Sequence, residues 1–429
     1  MSRRHDGLIA AVLVLVGAAP SHAGGSDTAR MTLARLLAHA ERNAPEIRIG
    51  RARLLLGEAE VTAARPLLPE EPELEIAAGP RLSSEGRALD LEVSVQQRLE
   101  VAGERGLRIA AAEQSRARRR ADFEQLRWQV HRKVHAAFHT ALVARERIEA
   151  ARHMAAFGRR LLAITRKRRA VGDISMLHVR VAEGEAAQAA QREIRAETAY
   201  RSACLRLAEV AGWMAQLEPV GGLEAPRPAP ALNRLVELAR VHHPELLARR
   251  TALEEARSRR RLAGREVFPR PALGVAYRRE AEIAGHTNHV VVATLGLSLP
   301  LWRRNQGARA RVGAEAAVAL ARWRALEQVL PSRLARAKQA LDAAARRIAL
   351  HAREVVPAFK DSLEMIGRAY AEGKVDVLQV MVARGRFLEI QRETLEAYED
   401  YHEAHAALEA VVGAEIWGAG TADQQEGRR

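Results

Sequence analysis

The sequence has few aromatic residues, one cysteine and, beyond its first residues, no long apolar run. Aromatic side chains make up 4% of the 429 residues, although apolar residues together make up 48%. Alanine takes the place of the aromatics, which favours slender, closely packed helices over a bulky globular core. The single cysteine, Cys204, excludes an intramolecular disulfide, and its place within a predicted helix predicts a buried, unreactive thiol.

The amino terminus has the pattern of a secretory signal peptide. Arg3 and Arg4 form a basic start, residues 8–19 form an apolar stretch, and Ala23 ends a short run of small residues. We expect export and cleavage after Ala23, so that residues 1–23 are a signal peptide. No stretch reaches the roughly 20 apolar residues of a spanning helix. The mature protein is therefore expected either to be soluble outside the cytoplasm or to cross a membrane by strands.

Charge and motifs argue against two classes of function. The formal net charge of +15 invites a nucleic-acid partner, but the arginine clusters at 116–120, 166–169 and 257–261 lie on predicted helices among acidic residues. No aromatic stacking platform or zinc-finger spacing accompanies them, so we expect no nucleic-acid partner. No nucleophile triad, phosphate loop or pair of catalytic carboxylates is found either, so the sequence predicts no enzymatic activity and no cofactor.

The chain repeats itself at an interval of about 200 residues. The motifs recur in the same order: Asn43-Ala44-Pro45-Glu46 returns as His242-His243-Pro244-Glu245, Gly106 as Gly307, Val171-Gly172 as Glu372-Gly373, and Gly212 as Gly413. Residues 24–217 and 232–417 are therefore predicted to form two similar structural units. A linker rich in proline and glycine joins them at 218–231, and the tail, 418–429, is predicted to be disordered.

Each unit is predicted to contain one very long helix. The first, 107–171, has no proline and one glycine, Gly158, and its roughly 65 residues make a rod of about 100 Å. The second, 308–371, contains Pro331 and Pro357, where we expect bends rather than ends because the helical pattern continues on both sides. The other helices are predicted at 33–43, 45–65, 175–210, 232–242, 245–267 and 377–412. A short helix stacked end to end on a return helix would match the height of a rod.

Four strands are predicted, at 74–76, 89–96, 273–277 and 289–299. Residues 89–96 alternate apolar and polar side chains, which gives a strand one apolar and one polar face. Four strands cannot close a transmembrane barrel, because the smallest such barrels need about eight and an open edge in lipid leaves backbone groups unpaired. We expect the chain to contribute its strands to a shared barrel, in which three copies supply twelve.

With these motifs in this order, the chain resembles the TolC family of outer-membrane efflux channels, and within it the heavy-metal efflux branch. The resemblance rests on the duplicated helix starts, the paired strands and the turns at 171–175 and 372–378. It implies a mainly α fold with a small β part, in which long antiparallel helical hairpins cross the periplasm. Four strands per protomer join a twelve-stranded trimeric β-barrel in the lipid of the outer membrane.

The resemblance also implies a function and partners. A homotrimeric channel would passively conduct substrate that an inner-membrane pump, such as an RND transporter, delivers through a periplasmic adaptor, or membrane fusion protein. The alternative is a periplasmic coiled-coil adaptor or scaffold without a pore. An adaptor, however, should have a lipoyl-like or small barrel domain flanking one hairpin, whereas this chain has two hairpins in tandem.

Candidate functional residues follow from the resemblance. In the family the helix-to-helix turns form the periplasmic tip that meets the adaptor, and the matching residues here are Val171, Gly172, Asp173, Gly373 and Lys374. Any hairpin turn would also need the two glycines. We expect Gly172 and Gly373 to serve both purposes.

Two further positions match the family's gate and its membrane boundary. Asp376 matches an acidic ring that narrows the closed tip in the family, but Gln379 stands at the second acidic position, so the resemblance implies one carboxylate ring instead of two. Trp302, at the end of the fourth strand, is placed either for an aromatic girdle at the membrane interface or for ordinary packing at the joint between strand and helix.

Three histidines recur four residues apart on one helix face: His131, His135 and His139. This spacing is compatible with metal ligation. No carboxylate partner is apparent on the same face, so we favour a partly buried polar stripe over a metal site.

Overall fold

The computed structural model describes residues 29–68, 70–83, 86–281 and 287–417. The predicted signal peptide and the predicted disordered tail lie outside the described residues. Of the helices within those ranges, none combines the length and the apolar character needed to cross a bilayer.

The predicted order of elements is found in both units. The first unit contains β1 (Ala29–Met31), α1 (Leu33–Asn43), α2 (Pro45–Ala64), β2 (Glu73–Ser83), β3 (Gly86–Arg98), α3 (Glu104–Ala170), α4 (Met176–Ala211) and β4 (Leu217–Pro219). The second contains α5 (Leu232–His242), α6 (Pro244–Arg265), β5 (Ala272–Ala281), β6 (Thr287–Gly296), α7 (Gln306–Leu350), α8 (Val356–Ala371) and α9 (Val377–Val412). Strands β1 and β4, which pair in parallel, were not predicted.

Four strands form one antiparallel sheet in the order β2-β3-β5-β6, so β3 and β5 join the two units and β2 and β6 form the edges. The register places Val93 between Ile76 and Tyr277 on one face, and Ser94 between Glu75 and Ala276 on the other. The first face is apolar and exposed in the protomer. Each strand has 10 to 13 residues, enough to cross a bilayer core at a tilt.

The last strand is shorter than predicted at its carboxyl end. We expected it to reach Leu299, but β6 ends at Gly296. Its neighbour β5 begins at Ala272, which pairs with Gly296 and directly follows Pro271. Because β5 does not extend before Ala272, residues 297–299 of the expected strand have no residue of β5 opposite them.

The long helices occupy different places in the protomer. Helix α3 has 67 residues, about 100 Å of rise. It packs against α2 and α4 of its own unit and against α6 and α9 of the other, whereas α7 packs mainly against α5, α6 and α9. Helix α3 therefore lies in the middle of the protomer and α7 at its edge.

The duplicated motifs build two identical corners that join short and long helices end to end. Gly212 ends α4 at φ +70°, and an added Cβ there would overlap the carbonyl oxygen of Asn43, where α1 meets α2. Gly413 ends α9 at φ +78°, and its Cβ would overlap the carbonyl oxygen of His242, where α5 meets α6. Only glycine fits such a left-handed position at this approach. The end of each return helix therefore meets the start of a short helix, as the predicted end-to-end columns require.

The second long helix runs through both of its prolines, as predicted. Helix α7 continues past Pro331 without a break. A π-helical turn, His351–Val355, then precedes Pro357, which lies in the first turn of α8. Proline cannot donate to the carbonyl four residues back, and its ring crowds that carbonyl, so the wider turn accommodates it.

Cys204, predicted to be buried, is half buried on α4. Burial still raises the pKa of its thiol. The expectation of an unreactive thiol therefore agrees with its surroundings, although the predicted burial was too complete.

Candidate functional site

The two hairpin turns have the same backbone geometry. At the end of α3, Gly172 has φ +81°. The amide of Gly172 donates to the carbonyl oxygen of Arg169, and the amide of Asp173 donates to the carbonyl oxygen of Arg168, both at 3.0 Å. At the end of α8, Gly373 has φ +79°, its amide donates to the carbonyl of Tyr370, and that of Lys374 donates to Ala369. Both are Schellman turns, whose left-handed position favours glycine.

Arg168 ties the first turn to the second. Its Nε donates to Oδ2 of Asp173 at 2.6 Å, and its Nη1 donates to the carbonyl oxygen of Tyr370 at 3.0 Å. The guanidinium also lies over the Tyr370 ring, 5.1 Å from its centre. Below it, the hydroxyls of Tyr370 and Thr165 are hydrogen-bonded at 2.8 Å, and both residues are buried. These contacts join the two turns into one tip.

Sequence reasoning missed this tie. Thr165 and Tyr370 lie on different hairpins, 205 residues apart, and neither belongs to a recognisable motif. The only local signal is a polar residue at an apolar position, since Thr165 follows the buried Leu161 by four residues.

Asp376 and Gln379, the predicted gate residues, form a capping box at the start of α9. Oδ1 of Asp376 accepts from the amide of Val377 at 2.7 Å, and Oε1 of Gln379 accepts from the amide of Asp376 at 3.1 Å. Nε2 of His178, on α4, lies 3.0 Å from Oδ1 of Asp376. The aspartate therefore stabilises a helix start and contacts the other hairpin. A role in narrowing a closed pore stays a prediction.

The tip also exposes apolar side chains. Val171, Leu177 and Leu378 are 81%, 70% and 63% exposed, respectively. Beside them, Lys374 pairs with Glu372 at 2.7 Å on the surface. An exposed apolar group with a polar rim is the usual composition of a protein-binding surface.

Trp302 lies in the connection between β6 and α7, not at the end of the strand as predicted. Its side chain is 84% exposed, so it does not pack at the joint between strand and helix. This position remains compatible with an interfacial aromatic residue.

The three histidines of α3 face a second group of side chains on α9. The ring of His135 lies 4.9 Å from that of His405, and the ring of His139 stacks on that of His402 at 3.6 Å. Nε2 of His131 lies 3.5 Å from Oε2 of Glu409. We name the six residues the histidine cluster: His131, His135, His139, His402, His405 and Glu409.

The carboxylate that was missing from the face of the first helix is therefore supplied by another helix. His402, His405 and Glu409 themselves recur at intervals of three and four residues on α9, and this spacing was the signal that sequence reasoning overlooked.

Burial and the contacts between neighbouring groups together set the charge of the cluster. It holds the pKa of His135 well below its usual value and lowers that of His139 to about 4 and that of His402 to about 2, with neighbouring imidazoles adding to the effect for His135 and His402. Burial would raise the pKa of Glu409, but the imidazoles of His131 and His405 outweigh it and lower the pKa to about 2. Near neutral pH, the imidazoles of His135, His139 and His402 are therefore neutral, and the Glu409 carboxylate is ionised.

Comparison with known proteins identifies a family from the sequence and similar folds among solved structures. The sequence profile of the family described as "Outer membrane efflux protein" matches the chain twice, over residues 36–213 and 235–414. The cobalt-zinc-cadmium resistance protein CzcC of Cupriavidus metallidurans is 23% identical over 319 residues, which cover 73% of this chain and 75% of that protein.

Two solved structures illustrate the likeness of fold. A crystal structure of CusC superposes with a TM-score of 0.72 at 14% identity, covering 89% of this chain and 92% of that chain. The CmeC outer membrane channel of Campylobacter jejuni superposes with a TM-score of 0.73 at 11% identity, covering 92% and 88%. The predicted fold class, mainly α and TolC-like, is therefore confirmed.

Proposed function

Because the chain belongs to the outer membrane efflux protein family, we propose that it is the outer-membrane channel of a tripartite efflux system. The chain is an efflux-channel protein of the outer membrane that extends into the periplasm, and it is not an enzyme. The proposal goes further in three respects. The protein acts as a homotrimer, a periplasmic adaptor and an inner-membrane pump such as an RND transporter deliver its cargo, and the cargo then passes without energy input from this chain.

The observation that carries the proposal is the arrangement of two different surfaces at opposite ends of the long helices. The exposed apolar face of the four-stranded sheet suits lipid, and the exposed apolar tip suits a protein partner. About 100 Å of helix separates them, more than three times the roughly 30 Å of a bilayer core. The alternative, a periplasmic scaffold without a pore, would leave the apolar face of the sheet exposed to water.

The trimer is supported by the two edge strands of the sheet that the described residues form. Strands β2 and β6 end the sheet, and an open edge in lipid is costly, so a neighbouring copy must pair with each. Among the helices, Leu55 of α2, Ile194 of α4 and Val318 of α7 are exposed on the protomer. Three copies of the sheet would supply twelve strands in the membrane.

Substitution of Gly172 tests the tip. Gly172 and Gly103 lie at opposite ends of α3, have φ +81° and +78°, and have open space where a Cβ would stand. Gly172→Val and Gly103→Val therefore carry the same backbone strain of about 1–2 kcal/mol, but only the first adds bulk at the tip.

We expect Gly172→Val to lower efflux by an order of magnitude or more while trimer yield in the outer membrane equals that of Gly103→Val. The measurements are drug or metal accumulation in intact cells, and crosslinking of the adaptor to the tip. Equal efflux in the two variants would remove the adaptor-binding assignment of Val171, Gly172, Asp173, Gly373 and Lys374.

The cargo we propose is a divalent heavy-metal cation. The support is the likeness to CzcC, whose name gives resistance to cobalt, zinc and cadmium. Deletion of the gene should increase sensitivity to these cations and leave sensitivity to organic drugs unchanged. The reverse pattern would overturn the cargo but not the channel.

A further inference from the structure

The histidine cluster brings metal-ligand atoms from two helices to one place. His135 of α3 and His405 and Glu409 of α9 each offer one donor atom, and these three atoms lie within 4.8 Å of one another. His131 lies beside them, with Nε2 at 3.5 Å from the Glu409 carboxylate. Imidazole nitrogens with one carboxylate form a common ligand set of zinc sites in proteins.

Three buried ring nitrogens of these histidines lack a hydrogen-bond partner among the described residues. Nδ1 of His135, Nε2 of His131 and Nε2 of His405 are buried and have no hydrogen bond within the part of the chain that the structure describes. Nε2 of His405 lies 3.1 Å from Oε1 of Glu409, but without hydrogen-bond geometry. His135 itself is 3% exposed. Unpaired buried polar atoms are costly, and one cation would satisfy all of these together.

We propose that His135, His405 and Glu409, with His131 as the fourth ligand, bind one divalent transition-metal ion between α3 and α9. Bonds of about 2.0–2.2 Å in a tetrahedral site hold the donor atoms about 3.4 Å apart. The donor atoms of His135, His405 and Glu409 already lie within 4.8 Å of one another, whereas His131, which is close to Glu409, has to turn further toward His135. Zn²⁺ and Co²⁺ suit three imidazoles and one carboxylate, whereas Ca²⁺ and Mg²⁺ prefer oxygen ligands throughout.

The other two histidines support the ligands from behind. His139 donates from Nδ1 to the carbonyl oxygen of His135 at 2.9 Å, and its ring stacks on that of His402. Such contacts fix the helix faces on which the ligands stand, as groups behind the ligands of metal sites commonly do.

The internal repeat shows that the fold does not require the residues of the histidine cluster. Positions 201 residues away, at the spacing of Gly172 and Gly373, hold Ser332 and Arg336 on α7 where α3 has His131 and His135. On α4 the counterparts of His405 and Glu409 are Cys204 and Ala208. The same helices are therefore built elsewhere in the chain without the ligand set.

The site would fasten the two units to each other, because α3 belongs to the first and α9 to the second. An ion that binds only the folded protein stabilises it in proportion to the logarithm of its concentration. This role is independent of the cargo, and of the proposed function as a whole, since the ion is held within the helix packing.

Metal binding by the full-length protein in detergent tests the proposal. After removal of bound metal with a chelator, the protein is dialysed against Zn²⁺ or Co²⁺ and the bound metal is counted by mass spectrometry. We expect one ion per chain in the wild type and in His153→Ala, which removes an exposed histidine of the same helix. Co²⁺ should give the visible absorption bands of a tetrahedral site.

His405→Ala and Glu409→Gln should each weaken binding by at least about 100-fold. If either variant fails to fold, the Co²⁺ spectrum and the stoichiometry of the wild type decide alone. Absence of stoichiometric binding in the wild type, or equal binding by His405→Ala, would overturn the site and leave a buried polar cluster without a metal. Efflux measured in the same variants separates this result from the channel function, because a structural ion can be lost while cargo still passes.

Discussion

The long helices α3 and α7 are counterparts in the repeat, but the protomer surrounds them differently. Within residues 137–144 of α3, every residue except Thr140 is buried. In the counterpart segment of α7, 338–345, only Leu341 and Ala344 are buried. That segment carries Lys338, Gln339 and Asp342, where α3 carries Ala137, Phe138 and Ala141.

The difference shows that position in the assembly, and not the repeat, decides the surface of a helix. A helix enclosed on all sides has mostly apolar or small side chains all round, whereas a helix at an edge needs an apolar stripe and a polar remainder. Because α3 lies between the helices of both units, it is enclosed within one chain. The free side of α7 is the one that a neighbouring protomer would cover in the proposed trimer.

A reciprocal exchange would test this difference most strongly. Ala141 is fully buried in α3, and its counterpart Asp342 lies near the surface of α7, paired with Lys338 at 2.6 Å. Ala141→Asp buries a charge without a partner and should lower the free energy of unfolding by about 3–5 kcal/mol. Asp342→Ala removes a surface pair and should change it by less than about 1 kcal/mol.

Guanidinium unfolding of the detergent-solubilised proteins, together with yield in the outer membrane, measures both effects. Equal costs for the two substitutions would mean that α7 is as enclosed as α3, and the contrast between middle and edge would fail.

The corners, in contrast, should respond alike in the two units. Gly212→Ala and Gly413→Ala each place a Cβ in a left-handed position against the last carbonyl oxygen of a short helix, α1 or α5, within the same corner. Strain and overlap together should cost about 2–4 kcal/mol in either unit. Gly184→Ala is the control, because Gly184 is exposed in α4 with open space around it, and it should stabilise the helix slightly.

The same unfolding measurement applies to all three glycine variants. A corner substitution that is tolerated in one unit alone would show that the repeat is less symmetric at its corners than the backbone indicates.

Local signals predicted the parts of the fold that local interactions determine. Helices α1, α5 and α9 begin and end at the predicted residues. A proline follows two residues after the end of α1 and of α5, and α9 has a capping box at its start and Gly413 at its end, and such signals act within one turn. The turn glycines Gly172 and Gly373 were found for the same reason. The two-stranded β1–β4 pair was missed because its three-residue strands lie far apart in the sequence and have too few residues to show alternation.

The partners across helices could not be predicted from periodicity. The spacing of His131, His135 and His139 defines a face of α3, but it does not say that α9 covers that face. The tie between Thr165 and Tyr370 has the same origin, since each residue sits on its own hairpin. In the histidine cluster the sequence identified single residues, and in both the cluster and the tip tertiary packing determined which residues meet.

The smallest expected effect concerns the proline that distinguishes the two long helices. Pro331 is exposed in α7, and its counterpart in α3 is Val130, which is buried. Pro331→Ala restores the missing amide of the helix and should raise the free energy of unfolding by about 1–3 kcal/mol. Efflux measured in the same variant tells why the proline is present. If stability rises and efflux is unchanged, α7 tolerates the proline because its edge position leaves room for it. If efflux falls instead, the weakened helix serves the opening of the channel, and the contrast with α3 is functional rather than only structural.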